Sequence, residues 1–346
     1  MRLSVSIVAS ALIATLFAPI FGTGAMAADL PDPKSPNYRE LALRIGNKGT
    51  IYQTVRLTRT ENKNGKVTTT SSTSAYRNDF TAIEGGYKVK KTLTAFTVTG
   101  PDGKTIDKDA HTQDAVLLRT MTGTLGDLTF IGDESLAPQR LENWPALWAN
   151  TRALIAAGLR EGGRPSLEEE VKVMNMMDGM FGKLTPEQAA GSFLQADTII
   201  AVPHNLALEI EKPLTADSEI IVPIGNFPLQ VSETVIITHW NAAGNTAQVI
   251  YDYRPKSDSL KAFFYDFLPK FMKDAGAPAE ALAEMMSAMK ANPGNVFDMS
   301  THCDYDMAID TGLVRQGKCT RITTVSLMGQ TSGKTEIYDV TESFVP

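Results

Sequence analysis

Cys303 and Cys319 each stand eight residues from Thr311, at the centre of Asp310-Thr311-Gly312. That triplet has the chemistry of a three-residue hairpin loop, with Gly312 able to take the left-handed conformation. If the chain turns there, each residue pairs with the one equally far from position 311. Ile309 then faces Leu313, and the two cysteines lie directly opposite each other. This register puts Phe297, Met299, Tyr305, Met307, Ile309, Leu313, Val325 and Leu327 on the cysteine face. Asp298, His302, Asp304, Asp306, Gln316, Lys318 and Thr320 take the other face, with Asp304 opposite Lys318. A slip of one residue would mix the two sets. The reading is a C-terminal antiparallel hairpin, apolar on one side and stapled by a Cys303–Cys319 disulfide.

The same patterning recurs upstream. Residues 50–61 and 66–76 are β-branched runs around Asn62-Lys63-Asn64-Gly65, and 86–99 is another, ended by Gly100-Pro101-Asp102-Gly103. Asn-Gly is a strong hairpin signal. Shorter apolar stretches follow at 115–122 and 127–132. From Trp144 to Ala196 the pattern is helical, with capping boxes at Ser166/Glu169 and Thr185-Pro186-Glu187-Gln188. Strand patterning returns over 197–254, its clearest pair being 230–240 and 246–254 about Asn241-Ala242-Ala243-Gly244-Asn245. Over 258–273, Leu260, Phe263, Phe264, Phe267, Leu268, Phe271 and Met272 form one helical apolar stripe, continued over 278–290 by Leu282, Met285, Met286 and Met289. Residues 296–309, 313–328 and 335–344 are strands again.

Short turns between neighbouring strands imply antiparallel pairing. The expected fold class is α+β: a large curved antiparallel sheet or open barrel (strands in 50–132, 197–254 and 296–344) with helical insertions packed against it. The expected organisation is a signal segment, 1–27, and a single domain, 28–346. That domain comprises a β-rich part 50–136, a helical insertion 140–196, and strands with helices over 197–346.

The N-terminus reads as a cleavable secretory signal. Arg2 precedes the charge-free apolar run Leu3–Phe17, and Ala25-Met26-Ala27 is a small-x-small cleavage site, giving a mature start at Ala28. The run is short for a membrane span, and no later stretch approaches 18 uninterrupted apolar residues. Arg2 is the only charged residue before Ala28, so its removal makes the formal charge, −6 for the whole chain, one unit more negative. Such a charge opposes nucleic acids and anionic lipid surfaces. No Asn-x-Ser/Thr sequon occurs, which favours a bacterial envelope protein, and an oxidising periplasm suits the disulfide.

Chemistry-bearing motifs are scarce. The histidines, His111, His204, His239 and His302, have no metal-ligand spacing and read as surface or edge-strand residues. His302 points away from Cys303, against a cysteine metal site. No Gly-x-Ser-x-Gly elbow occurs. Gly329–Thr335 is one residue short of a phosphate loop and sits between strands, so it reads as a turn. No catalytic residue, cofactor or metal site is indicated. The methionines of 174–180 and 285–289 admit three readings: core filling, an adaptable lining for an apolar ligand or partner, and soft-metal binding. The element order is similar in outline to that of the periplasmic carriers of lipoproteins, a curved sheet with helices plugging its mouth. That similarity implies a periplasmic protein binding a lipid or lipidated partner between a concave sheet and Phe/Met-rich helices. The expected lining is Phe263, Phe267, Phe271, Met285, Met286, Met289 and Met177. The alternatives are a scaffolding envelope protein without a small ligand, and a hydrolase.

Overall fold

The structure is a computed structural model. It describes residues 31–63, 65–106, 122, 126–161, 171, 174–175, 177–222, 227–274, 279–280, 282–283, 286–287, 296–327 and 330–346. The expectations placed on residues 1–27, on most of 115–122, on the Ser166 capping box, and on Met285 and Met289 lie outside the described residues.

Among the described residues, an open, wholly antiparallel sheet of eleven strands dominates the fold. Its first wing is a meander of β2 (Lys48–Lys63), β3 (Lys66–Ile83), β4 (Gly86–Thr99), β5 (Asp127–Gly132) and β6 (Pro138–Leu141). The second wing comprises β8 (Leu214–Val222), β9 (Phe227–Asn241), β10 (Thr246–Pro255), β11 (Val296–Ala308), β12 (Val314–Leu327) and β13 (Gln330–Val345). The wings meet where the last strand, β13, pairs with β2 from Ser332↔Lys63 to Val345↔Thr50. The sheet does not close: β6 and β8 are its edges. A separate ribbon pairs β1 (Tyr38–Leu41) with β7 (Leu206–Glu209).

Helices are the minor part. Between the wings lie α1 (Trp144–Glu161), a π-helical turn Asp178–Gly182, α2 (Pro186–Phe193) and α3 (Gln195–Ala201). The expected Thr185 capping box opens α2, with both reciprocal bonds formed. Within the second wing lie α4 (Ser257–Ala262), a π-helical turn Phe263–Phe267 and α5 (Leu268–Asp274). Among the described residues no helix is long and apolar enough to cross a membrane.

One expectation is overturned in α3. Residues 197–201 read as the start of a strand because Thr198, Ile199 and Ile200 are β-branched and apolar. They are instead helical, and all five residues 197–201 are buried. A short helix buried on most sides has no solvent face, and its Asp197 is paired with Lys91 inside the fold, so it carries no 3.6-residue signature.

The C-terminal hairpin holds the expected register along most of its length. Cys303 opposes Cys319, Asp304 opposes Lys318, and the pairing runs out to Val296 and Ser326. Near the turn it differs. A bulge falls at Asp306/Met307, so Met307 opposes Val314, and Ala308 rather than Ile309 bonds to Leu313. Gly312 does take the left-handed conformation, at φ +71°, and a Cβ there would lie 2.2 Å from the Ala42 carbonyl oxygen. That close approach accounts for the longer loop: Gly312 packs on the backbone entering β2 as well as turning the hairpin.

Cys303 and Cys319 are disulfide-bonded, with Cα atoms 4.0 Å apart. Both are buried, at 0% and 2% exposure. The bond closes a loop of about 15 residues, for which chain entropy gives about 3 kcal/mol. Reduction is therefore expected to lower the unfolding free energy by about 2–3 kcal/mol. Denaturant titration with and without reductant measures it, and coincident curves would show the staple to be idle.

Candidate functional site

The phenylalanine stripe was legible in sequence, and its geometry is now specific. Phe263, Phe264, Leu260 and Leu268 are buried, Phe263 completely. Phe267 and Phe271 are half-buried. The π turn widens the helix by one residue where the ring density is highest, a distortion frequent at functional sites. Phe227, on β9, meets Phe263 and Phe267 at centroid distances of 5.3 and 5.0 Å. Phe264 stacks on Phe297 of β11 at 3.8 Å, and Phe267 on Phe271 at 5.8 Å. Beside this stack runs a narrow crevice between Leu260 and Phe264 on one side and the strand segments 297–299 and 323–325 on the other, Asp298 and Thr324 included.

The other candidate lining residues are placed apart or left unplaced. Met286 is half-buried. Met177 immediately precedes the turn Asp178–Gly182, which packs on α1: Phe181 meets Trp148 at 6.0 Å and Arg152 pairs with Asp178 at 3.0 Å. Phe181 of that turn joins a second aromatic cluster with Trp144, Trp148 and Phe193.

The sheet's inner face also carries charge, which the sequence reading missed. One cross-strand row runs Glu233, Tyr253, Thr301, Arg321, Glu336, Arg59 from β9 to β2. Glu336 accepts from Arg59 and Lys334, each at 2.8 Å. Burial alone would raise its carboxyl, but Lys334, Arg321 and Arg59 together hold it below the usual range. Burial presses Lys334 down to about 8. Glu233 is raised by burial, against hydrogen bonds from the Tyr251 and Ser218 hydroxyls. These acids and bases sit at alternating strand positions, where a period-2 reading assigns them no partner; only the register brings them together.

A second polar group surrounds α3. Lys91 of β4 bonds Asp197 at 2.6 Å, lies 4.0 Å above the Tyr76 ring, and also donates to Gln53. Tyr305 of β11 donates to the Ile199 carbonyl at 2.8 Å. Gly317 of β12 lets the helix approach: a Cβ there would lie 3.0 Å from Ile200 Cδ1. His204, expected at the surface, is 4% exposed. Its Nδ1 lies 2.7 Å from the Ser135 carbonyl, which fixes the proton there, and burial lowers its pKa to about 4. His204, Asn78, Asp197 and Glu342 share a small cavity with room for one water-sized molecule. Among the described residues no group of three or more His, Cys, Asp or Glu is placed to hold a metal ion.

Burial raises Glu342 to about 7, against a hydrogen bond from Gln53. Between pH 4.5 and about 7 the folded chain therefore keeps a proton that the unfolded chain has lost. Stability from this group is complete below that window and is lost as pH rises through it. His204 acts oppositely: its contribution is present above pH 6.5 and is lost as pH falls toward about 4. Comparison with Glu342→Gln separates the two. The variant's advantage over the native chain is expected to grow by about 2–3 kcal/mol between pH 4 and pH 8. Equal stability differences at both pH values would show that Glu342 titrates normally.

No known family's sequence pattern matches the chain, and no curated protein matches it. Three solved structures resemble the chain at low scores. Lipovitellin, in a structure titled for its lipid–protein interactions, is 8% identical over 85% of this chain, with a TM-score of 0.43. This chain spans 25% of the lipovitellin chain's length. DynF from the dynemicin biosynthesis pathway of Micromonospora chersina is 7% identical over 94% of this chain and 92% of its own, at 0.20. OccK2 of Pseudomonas aeruginosa is 8% identical over 88% of this chain and all of its own, at 0.22. These scores lie below 0.5, and nothing that follows rests on them.

Proposed function

We propose that the mature chain, released after Ala27 into the periplasm, binds an apolar ligand between the inner face of the second wing and the segment Ser257–Asp274. The observation that carries this reading is the run of half-buried rings. Phe227, Phe267, Phe271 and Phe297 remain partly open to solvent while stacked on a fully buried Phe263 and a buried Phe264. Contiguous apolar surface of this kind marks a binding face more often than scattered single residues do. The shape of the sheet supports the reading. A single helix, α3, bonds to Lys91 of β4 and Tyr305 of β11, which stand five strand spacings apart in the sheet. On a flat sheet that is about 24 Å, too wide for a helix about 10 Å across to bridge comfortably with two side chains. This span supports a sheet curved around its helices, concave side inward.

The crevice beside Phe264 is narrow, so the ligand enters as Phe264 parts from Phe297 and Ser257–Asp274 lifts. That narrowness also favours the competing reading, a scaffolding protein whose helices only complete its core. Titration with the neutral probe 1-N-phenylnaphthylamine separates them. The native chain is expected to bind the probe. A Phe267→Ser/Phe271→Ser variant should bind about tenfold more weakly, with little loss of stability because both rings are half-exposed. Native mass spectrometry of detergent-free periplasmic extract should show a chain starting at Ala28. No probe binding would leave the scaffolding reading standing, and an intact residue 1–27 segment would remove the export step.

A further inference from the structure

In the cross-strand row that ends at Arg59, three neighbouring positions hold polar atoms with no hydrogen-bond partner. They are Tyr253 Oη on β10, Thr301 Oγ1 on β11, and Arg321 Nε and Nη2 on β12. Tyr253 and Thr301 are 2% exposed and Arg321 is 4% exposed. Arg321 spends one nitrogen, Nη1, on Gln195 of α3 at 3.3 Å. A buried guanidinium always carries its charge, and leaving two of its nitrogens unbonded costs more than leaving a neutral donor. Nε and Nη2 form one edge of the guanidinium fork, whose spacing matches the two oxygens of a carboxylate. The Tyr253 and Thr301 hydroxyls supply two further donors alongside.

The local charge fits an anion. Arg59, Lys334 and Arg321 surround the single carboxylate of Glu336, which is already engaged by the first two. The nearest acid on the other side, Glu233, is raised toward its neutral form by burial and is bonded by two hydroxyls. The net acidity of the chain governs long-range approach and not this pocket. On the same face, the next row outward is Met299–Thr323 and the one after is Phe297–Val325. These are walls of the crevice beneath Leu260 and Phe264. A cationic fork and an apolar slot are thus continuous along two adjacent strands.

We propose that the ligand is a single-chain amphiphile whose carboxylate head sits on Arg321, Thr301 and Tyr253, with its tail along Met299, Phe297 and Val325. This rests on the apolar-site reading above and names the ligand's class. The tail enters where Phe264 covers Phe297, and the head satisfies all four unpaired atoms.

The test compares cis-parinaric acid with its methyl ester, titrated into the full mature chain and into Arg321→Met and Arg321→Lys. The acid is expected to bind the native chain about tenfold or more tightly than the ester. Arg321→Met should erase that difference by weakening the acid toward the affinity of the ester. Arg321→Lys, which keeps charge without the fork, should weaken the acid alone and serves if the methionine variant does not fold. Equal binding of acid and ester to the native chain would overturn the anionic head and leave the apolar site standing. Binding of neither would overturn both. A lowered midpoint with acid and ester weakened equally would make Arg321 a structural residue and overturn the assignment. Displacement of the acid by lysophosphatidate as readily as by palmitate would overturn the carboxylate in favour of a phosphate head.

Discussion

Replacing Asp197 by alanine is expected to destabilise the chain by about 3–5 kcal/mol, because it strands a buried cation. Lys91 is 2% exposed and Asp197 6%. The pair ties β4 to α3, and without it the ammonium keeps the Gln53 oxygen, the Tyr76 face and the more distant carboxyl of Glu342. The reverse change, Lys91→Met, leaves a carboxylate in the first turn of α3, where the helix N-terminus eases its burial, so its cost should be the smaller. The double variant Asp197→Leu/Lys91→Met should recover most of the loss, since hydrophobic residues of similar volume often replace a buried ion pair at little cost. Denaturant unfolding of the three variants at an unchanged m-value gives the coupling directly. A single-variant cost below about 1 kcal/mol would mean that the pair is hydrated and not structural.

The second large effect separates core from site within one aromatic stripe. Phe263→Ala is expected to cost about 3–5 kcal/mol, as a fully buried phenylalanine does. It loses contacts with Phe227, Phe264 and Phe267 at once. Phe267→Ala, only half-buried, should cost well under half of that while weakening probe binding. Thermal or denaturant unfolding, run beside the probe titration, reads both quantities. A Phe267 cost equal to that of Phe263 would make the whole stripe core and weaken the case for a binding face.

Much of this architecture is legible in the chain because it follows from period and turn chemistry. The Cys303–Cys319 pairing followed from one turn and one alternation, and the Thr185 capping box from four residues. What escaped has a common physical reason. The Met307–Val314 bulge depends on how Gly312 docks against Ala42, far upstream in the chain. The helix at 195–201 is buried on most sides, so its pattern is that of a buried strand. Arg321, Glu336 and Glu233 look like solvent residues, yet they are 4%, 2% and 4% exposed. Alternation puts Arg321 on the face of Cys319 and Val325, opposite to that of Lys318 and Asp304; what it does not show is that the helices cover that face and bring Glu336 and Glu233 beside it. The strand order that joins β13 to β2, and so brings Arg59 to Glu336, is a pairing between the two ends of the chain. Hydrophobic periodicity can indicate a phenylalanine stripe, but not the arginine that lies beside it on the neighbouring strand.

The most direct measurement of the central claim is to photolabel the mature chain with a palmitate carrying a diazirine in its tail and to map the adducts by peptide mass spectrometry. Labels on Ser257–Asp274 and on Phe297–Val325, diminished by excess palmitate and by Arg321→Met, are the expected result. Labels scattered over the outer face of the sheet, or confined to the first wing, would contradict a ligand seated beneath the phenylalanine segment.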